Sequence, residues 1–489
     1  MKKEELFEAL NDIDDKYIKD ARKSNPSKKK TILRWTSLVA CAAVLICAVL
    51  VTPKVLGTRG RTSTANYPKG VVAMAAVYPD SPFAKMTAQE YLESDEGYQW
   101  WQSYIKQVAK TRDLQSGMDD YNLKLLESLL VAEDDNTVCS PLNTYIAFSM
   151  LAEITDGETR AQILDMLGSD NIDQLRKNNR SLWESNYVNT PVKKSVLANS
   201  LWLDESVDYN EKTLKTLTED YYASSFRGTP GSKELNEALR QWTDTNTDNL
   251  LSEYTKDMEI KPDTIIELIS TIYYKAMWTD DFQTEQTYPQ IFHGTRADSE
   301  VEMMHKSDFS VVYSTDRFDA ISLNVVDGVD CGAYFFLPKE GVDVNDLVSD
   351  SDILKVLRTY PDDSWYEEHA SYAMVNISIP KFNVSCKTDL IESLLVKMGV
   401  TDVLDTASAD FTPLTNEKKE IYLSKAEHAA MLEIDEHGIT GAAYTELAMA
   451  EGSALVDRIV DFTLDRPFLM LVKESDGSVL FGAIIRNID

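Results

Sequence analysis

Histidine is scarce in this chain, five in 489 residues (His293, His305, His369, His428 and His437). None falls in the HExxH spacing that would set two imidazoles on one helical face around zinc. No serine sits in a G-x-S-x-G elbow, and no glycine-rich loop is present to cradle a phosphate. A catalytic triad can be scattered along a sequence, so what these absences exclude are the motif-borne hydrolase and nucleotide-binding classes; the chain reads as no enzyme. Cysteine is equally rare: Cys41, Cys47, Cys139, Cys331 and Cys386. They form no close pair suited to a metal, and an odd number speaks against a complete disulfide framework. Cys139, Cys331 and Cys386 read as small buried apolar residues. No metal or cofactor is implied. Positive charge is in short supply too, 49 Lys and Arg against 80 Asp and Glu, for a net charge of −31. Such a surface repels nucleic acid and anionic lipid, so neither is an expected partner of the body.

Long apolar runs are also missing, with one exception. Thr36–Thr52, TSLVACAAVLICAVLVT, carries no charge, and with Ile32, Leu33 and Trp35 it approaches the ~20 apolar residues that span a bilayer. Lys28, Lys29, Lys30 and Arg34 precede it, which places the amino terminus inside and the rest outside. A cleaved signal peptide competes with this reading, but the charged lead is long for one. LVAC at Leu38–Cys41 looks like a lipobox, yet the apolar run follows Cys41 rather than preceding it. The expected organisation is a cytoplasmic charged segment over 1–34, a transmembrane helix over 35–53, an extracellular linker over 54–77 and a domain over 78–489, its core over 118–489. Within that domain, Trp100, Trp101 and Tyr104 mark a helical lead-in packed on the core. Asp165–Leu182, Ser232–Asn249 and Leu390–Met398 read as helical; Gly332–Leu337, Val375–Ile379 and Phe468–Val472 read as strands.

The stretch Leu423–Ala443, LSKAEHAAMLEIDEHGITGAA, carries the strongest functional signal. It begins as a strand, turns at an acidic corner with a glycine, and runs on into small residues. Counted in twos from Ile439, the series Ile439, Gly441, Ala443, Thr445, Leu447 and Met449 is uncharged; the alternate series is more polar and includes Glu446. Alternation of period two marks a strand with one buried face. A loop with this pattern carries the makings of a strand, and a segment with two states can store and release free energy.

This stretch resembles the hinge and reactive loop of the serpins, the serine protease inhibitors. Four further segments resemble family signatures in family order: Val138–Leu164, Ile265–Phe282, Ser378–Phe382 and Phe462–Val472. The resemblance implies an α+β serpin fold, a metastable molecule with a large, mostly antiparallel central sheet, surrounding helices and an exposed reactive loop. It implies a hinge at Glu436, Gly438, Ile439, Thr440, Gly441, Ala442 and Ala443, where a Glu436–Lys381 ion pair biases how the loop leaves its strand, worth ~0–1 kcal/mol as a lone surface pair. Gly438 would supply free φ/ψ at the fold-over, and uncharged Ile439 would tolerate burial. His428 corresponds to a buried histidine beneath the sheet with the Ser140 hydroxyl as neighbour. Ser270 stands where the family usually has asparagine, and Trp278 would pack where insertion begins. Family spacing puts the reactive bond at Gly452–Ser453, with Ala450, Glu451 and Leu455 as neighbours; because the loop is about four residues longer than usual, Leu455–Val456 and Arg458 stay open.

The implied function is extracellular suicide inhibition of serine, or cysteine, endopeptidases by a monomer on a bacterial cell surface. A subtilisin-like or elastase-like protease is the expected partner, with the membrane engaged through 35–53. Two alternatives stand beside it: a non-inhibitory binding module, and a membrane sensor that reports loop cleavage to Met1–Lys30.

Overall fold

The structure, a computed structural model, describes residues 67–249, 255–358, 364–417, 421–423, 425–439 and 458–488. The expected span at 35–53 lies outside them; among the described residues no helix is long and apolar enough to cross a membrane.

Strands are numbered in chain order and form two sheets. The first runs β1 (Val72–Met74), β5 (Ala223–Gly228), β4 (Lys193–Asp204), β6 (Ile266–Met277), β14 (Gly438–Ile439), β13 (Glu427–Asp435) and β12 (Phe382–Asp389), with β3 (Val188–Asn189) on β4. Only its β4–β5 pair is parallel. The second runs β15 (Ile459–Thr463), β11 (Ala370–Pro380), β8 (Asp298–Ser314), β9 (Phe318–Asn324), β10 (Gly332–Pro338), β16 (Phe468–Lys473), β17 (Val479–Ile485) and β2 (Thr137–Cys139), with β7 (Thr287–His293) on β8. β10, β16 and β17 are buried at every residue. Their unbroken apolar runs follow from having both faces covered.

Helices frame these sheets: α1 (Ala88–Glu93), α2 (Asp95–Val108), α3 (Asp119–Leu130), α4 (Pro141–Ile154), α5 (Gly157–Met166), α6 (Ile172–Asn186), α7 (Glu211–Asp220) and α8 (Lys233–Asn246). α4 is buried at all but one position. A helix apolar all round belongs inside, and α4 packs against both β6 and β17. Its start is set by Ser140, whose side chain accepts from the Asn143 N–H, and by Pro141 in the first turn.

The helical reading of Asp165–Leu182 breaks into two. α5 ends at Met166, Gly168 turns the chain at φ +65°, and Asn171 caps α6 by accepting from Gln174 N–H. Leu390–Met398 holds only the short π turn Ile391–Leu395. The linker boundary expected at residue 77 falls earlier, because β1 pairs with β5 and the Arg227 N–H donates to Val71 O at 2.7 Å. Cys139 and Cys331 are buried, whereas Cys386 is only half-buried.

Candidate functional site

The site lies where β13 turns back on itself. Asp435 ends β13, and its Oδ1 accepts from the N–H groups of His437 at 2.8 Å and Gly438 at 3.0 Å. The chain thereby reverses through Glu436 and His437 and re-enters the sheet as β14. Gly438 pairs with Asp435 on one side and Met277 on the other; Ile439 pairs with Ile434 and Ala276. Gly438 is not there for an unusual φ, since it has none among the positive values. A Cβ at this position would lie 2.0 Å from the carbonyl oxygen of Ala276. Close approach to β6 is what requires glycine, which corrects the expectation of a freely turning hinge. Ile439 is fully buried.

Glu436 and Lys381 do pair, Nζ to Oε2 at 2.9 Å. The pair is more than a surface contact, because Glu436 is 5% exposed. Its Oε1 accepts from Thr287 Oγ1 at 3.0 Å and its carbonyl from Phe282 N–H at 3.0 Å. Burial works against the Glu436 charge, but Lys381, Thr287 and the backbone outweigh it and hold the carboxyl below its ordinary value. Trp278 closes this end of the sheet: its indole N–H donates to Asp435 O and its backbone N–H to His437 O, both at 3.0 Å.

Below β14, no ladder joins β6 to β13 among the described residues. A two-residue strand between them sets these neighbours two inter-strand spacings apart, about 10 Å. Residues Ile266–Ser270 of β6 are only half-buried, although three are Ile or Leu. Between the walls lies a cavity of about 50 Å³, lined by Asn143, Phe148, Leu268, Ser270, Ala426 and His428. It is room for a water or two.

Each wall is tied to the cap of α4 beneath. From β13, His428 Nε2 accepts the backbone N–H of Ser140 at 2.9 Å. The partner is thus the Ser140 backbone, not the hydroxyl expected from sequence, because that hydroxyl is occupied as the helix cap. Burial depresses the His428 pKa to about 4, and accepting at Nε2 requires the neutral ring with its proton on Nδ1. From β6, the Ser270 hydroxyl reaches Asn143 Oδ1 and Asn199 Oδ1, the latter at 2.7 Å, with its single proton shared between the two oxygens, while Asn143 Nδ2 donates to Ser270 O at 3.1 Å. Asn143 and Asn199 were missed by sequence reading. Only their place opposite Ser270 reveals them, Asn199 being its register partner on β4. The structure brings Ser140, Ser270 and His428 together beneath the sheet, and Lys381, Glu436, Trp278, Gly438 and Ile439 at its end. Thr440, Gly441, Ala442 and Ala443, and the reactive-bond candidates Ala450, Glu451, Gly452, Ser453, Leu455 and Val456, lie outside the described residues. Arg458 is described, and its carbonyl already accepts from Met374 N–H at the start of the second sheet.

A family model described as "Serpin (serine protease inhibitor)" matches residues 116–488. The chain belongs to the serpin family, whose members are generally protease inhibitors. Among curated relatives, it is 25% identical to mouse Serpin B11 over 71% of this chain and 92% of that protein. It is 26% identical to human Neuroserpin over 71% of this chain and 85% of that one. Among solved structures, the thermophilic serpin tengpin in its native state matches with a TM-score of 0.66 at 21% identity, covering 76% of this chain and 93% of that one. Human thyroxine-binding globulin complexed with thyroxine matches at 0.63 and 22% identity, over 79% of this chain and 99% of that one.

Proposed function

We propose that this serpin is an extracellular suicide inhibitor of serine endopeptidases, anchored by a single span at 35–53 with its amino terminus in the cytoplasm of a bacterial cell. The observation that carries the reading is β14: two loop residues already paired on both sides, above a slot where β6 and β13 have no ladder. A protease attacks the loop as substrate, with Gly452–Ser453 the favoured bond, and its serine takes the new carboxyl end as an acyl ester. Cleavage frees the loop to continue from Ile439 down the slot as a full strand, drawing the tethered protease along. Ile439, Gly441, Ala443, Thr445, Leu447 and Met449 would face inward. Burying them at ~1.5–3 kcal/mol per large side chain, together with the backbone pairing of a new strand, releases on the order of 10 kcal/mol. That suffices to distort an active site before water completes hydrolysis. Small residues about the bond suit subtilisin-like or elastase-like enzymes.

The test mixes the full chain, in detergent, with subtilisin and with pancreatic elastase, followed by denaturing electrophoresis and sequencing of the released carboxyl-terminal peptide. A boil-stable band at the summed mass is the expected result, and the peptide's first residue places the bond. Clean cleavage by both enzymes without such a band would leave a non-inhibitory module as the better reading.

A further inference from the structure

Residues 67–115 precede the segment matched by the family model, yet they are built into the body at five places. β1 extends the edge of the first sheet, and Ala76 N–H donates to Ser224 Oγ at 3.0 Å. Tyr78 stacks on Trp183 and Tyr187 of the α6 end. Phe83 and Tyr91, their rings 4.8 Å apart, form a buried apolar cluster with Val192 and Met277, against which Met86, Leu92, Trp100 and Val326 pack. Farther on, Tyr104 and Val108 bury Val188. The Tyr104 ring lies 6.0 Å from Nζ of Lys193, itself fully buried and paired with Glu474 at 2.7 Å. Arg112 Nε then donates to Ser475 O at 3.1 Å.

These contacts fall on both sides of one seam. Met277 ends β6, and Val188 in β3 and Val192 in the turn before β4 lie beside it on that wall of the slot. Val326, Glu474 and Ser475 belong to turns of the second sheet, beyond β9 and β16. Met277 is the residue that pairs with Gly438, and its N–H donates to Val192 O at 3.1 Å. The lead-in therefore packs on the β6 residue against which the hinge is seated, and reinforces the direct link to the other layer in which Val326 N–H donates to Met277 O at 2.9 Å. Closing β6 onto β13 would expel β14 and would require that wall to slide against the second sheet, across the cluster.

We propose that residues 67–115 are a strap that holds the end of β6 away from β13 and keeps Gly438–Ile439 seated in the sheet before any cleavage. Its effect on trapping rests on the inhibitory reading above; its effect on the hinge does not. The experiment measures amide hydrogen exchange in the full chain and in Phe83→Ala/Tyr91→Ala, with Met86→Ala as a milder variant should the double one fail to fold. Exchange at 436–439 is expected to rise roughly tenfold or more, while β16 and β17 stay protected. With subtilisin, the variants are expected to give more cleaved chain and less covalent complex. Unchanged exchange at the hinge overturns the proposal. So does a rise shared equally by β16 and β17, which would make the cluster ordinary core. If the parent chain traps neither protease, the inhibitory reading is in question, while hinge exchange still decides the strap.

Discussion

At the scale of single residues, the site is governed by buried polar groups with fixed partners. His428 must stay neutral to accept from Ser140, and its pKa lies near 4 in the fold against 6.5 unfolded. The unfolded chain therefore takes up the proton first as pH falls, so this contribution is complete above about 6.5 and lost as pH drops towards 4. By linkage it amounts to roughly 3 kcal/mol. Urea unfolding across this range should show that slope, and His428→Gln should flatten it. Glu436 has the same dependence at lower pH. Its folded pKa is depressed, so its contribution is present above the ordinary carboxyl value and fades below it. Lys381→Met leaves a buried carboxylate short of its cation, at a cost of about 1–3 kcal/mol. Lys381 is itself 40% exposed, which pulls the expected loss toward the lower end; urea unfolding at pH 7 measures it.

At the scale of elements, β14 is the proposed hinge, and two residues decide whether it forms. Ile439 suits it because the position is fully buried between Ile434 and Ala276 and a charge there would be desolvated without a partner. Gly438 suits it because nothing larger fits beside Ala276. Gly438→Ala should push β14 out of the sheet while leaving β13 intact. The expected readout is loss of amide protection at 438 and 439 with β13 and β12 still protected; retained protection would mean that β6 yields to make room. Sequence reading anticipated a glycine at this turn but assigned it torsional freedom, because the approach of β6 is invisible from β13 alone.

For the whole molecule, the slot between β6 and β13 is the proposed element of two states. Both walls stand on the cap of α4, and the strap sets one of them against the second sheet. If the loop completes the sheet after cleavage, the cut chain gains a central strand and its apolar contacts. Nicking the loop with a protease it does not trap should then raise the thermal midpoint by well over ~10 °C, since on the order of 10 kcal/mol exceeds the stability of many domains. An unchanged midpoint would mean that the cleaved loop stays outside.

Sequence by itself determined much of this protein. Unbroken apolar runs, with the Ser140–Pro141 cap, set α4 and the buried strands, and the uncharged series from Ile439 marked a segment fit for a strand. These are properties of neighbours along the chain. Tertiary structure alone decided the rest: Asn143 and Asn199 as partners of Ser270, the Ser140 backbone rather than its hydroxyl as partner of His428, the burial that strengthens Glu436–Lys381, and the grip of Phe83 and Tyr91 on Met277. Each joins residues far apart in the chain, and a hydrogen bond or packed ring depends on distance in space, which local pattern does not encode.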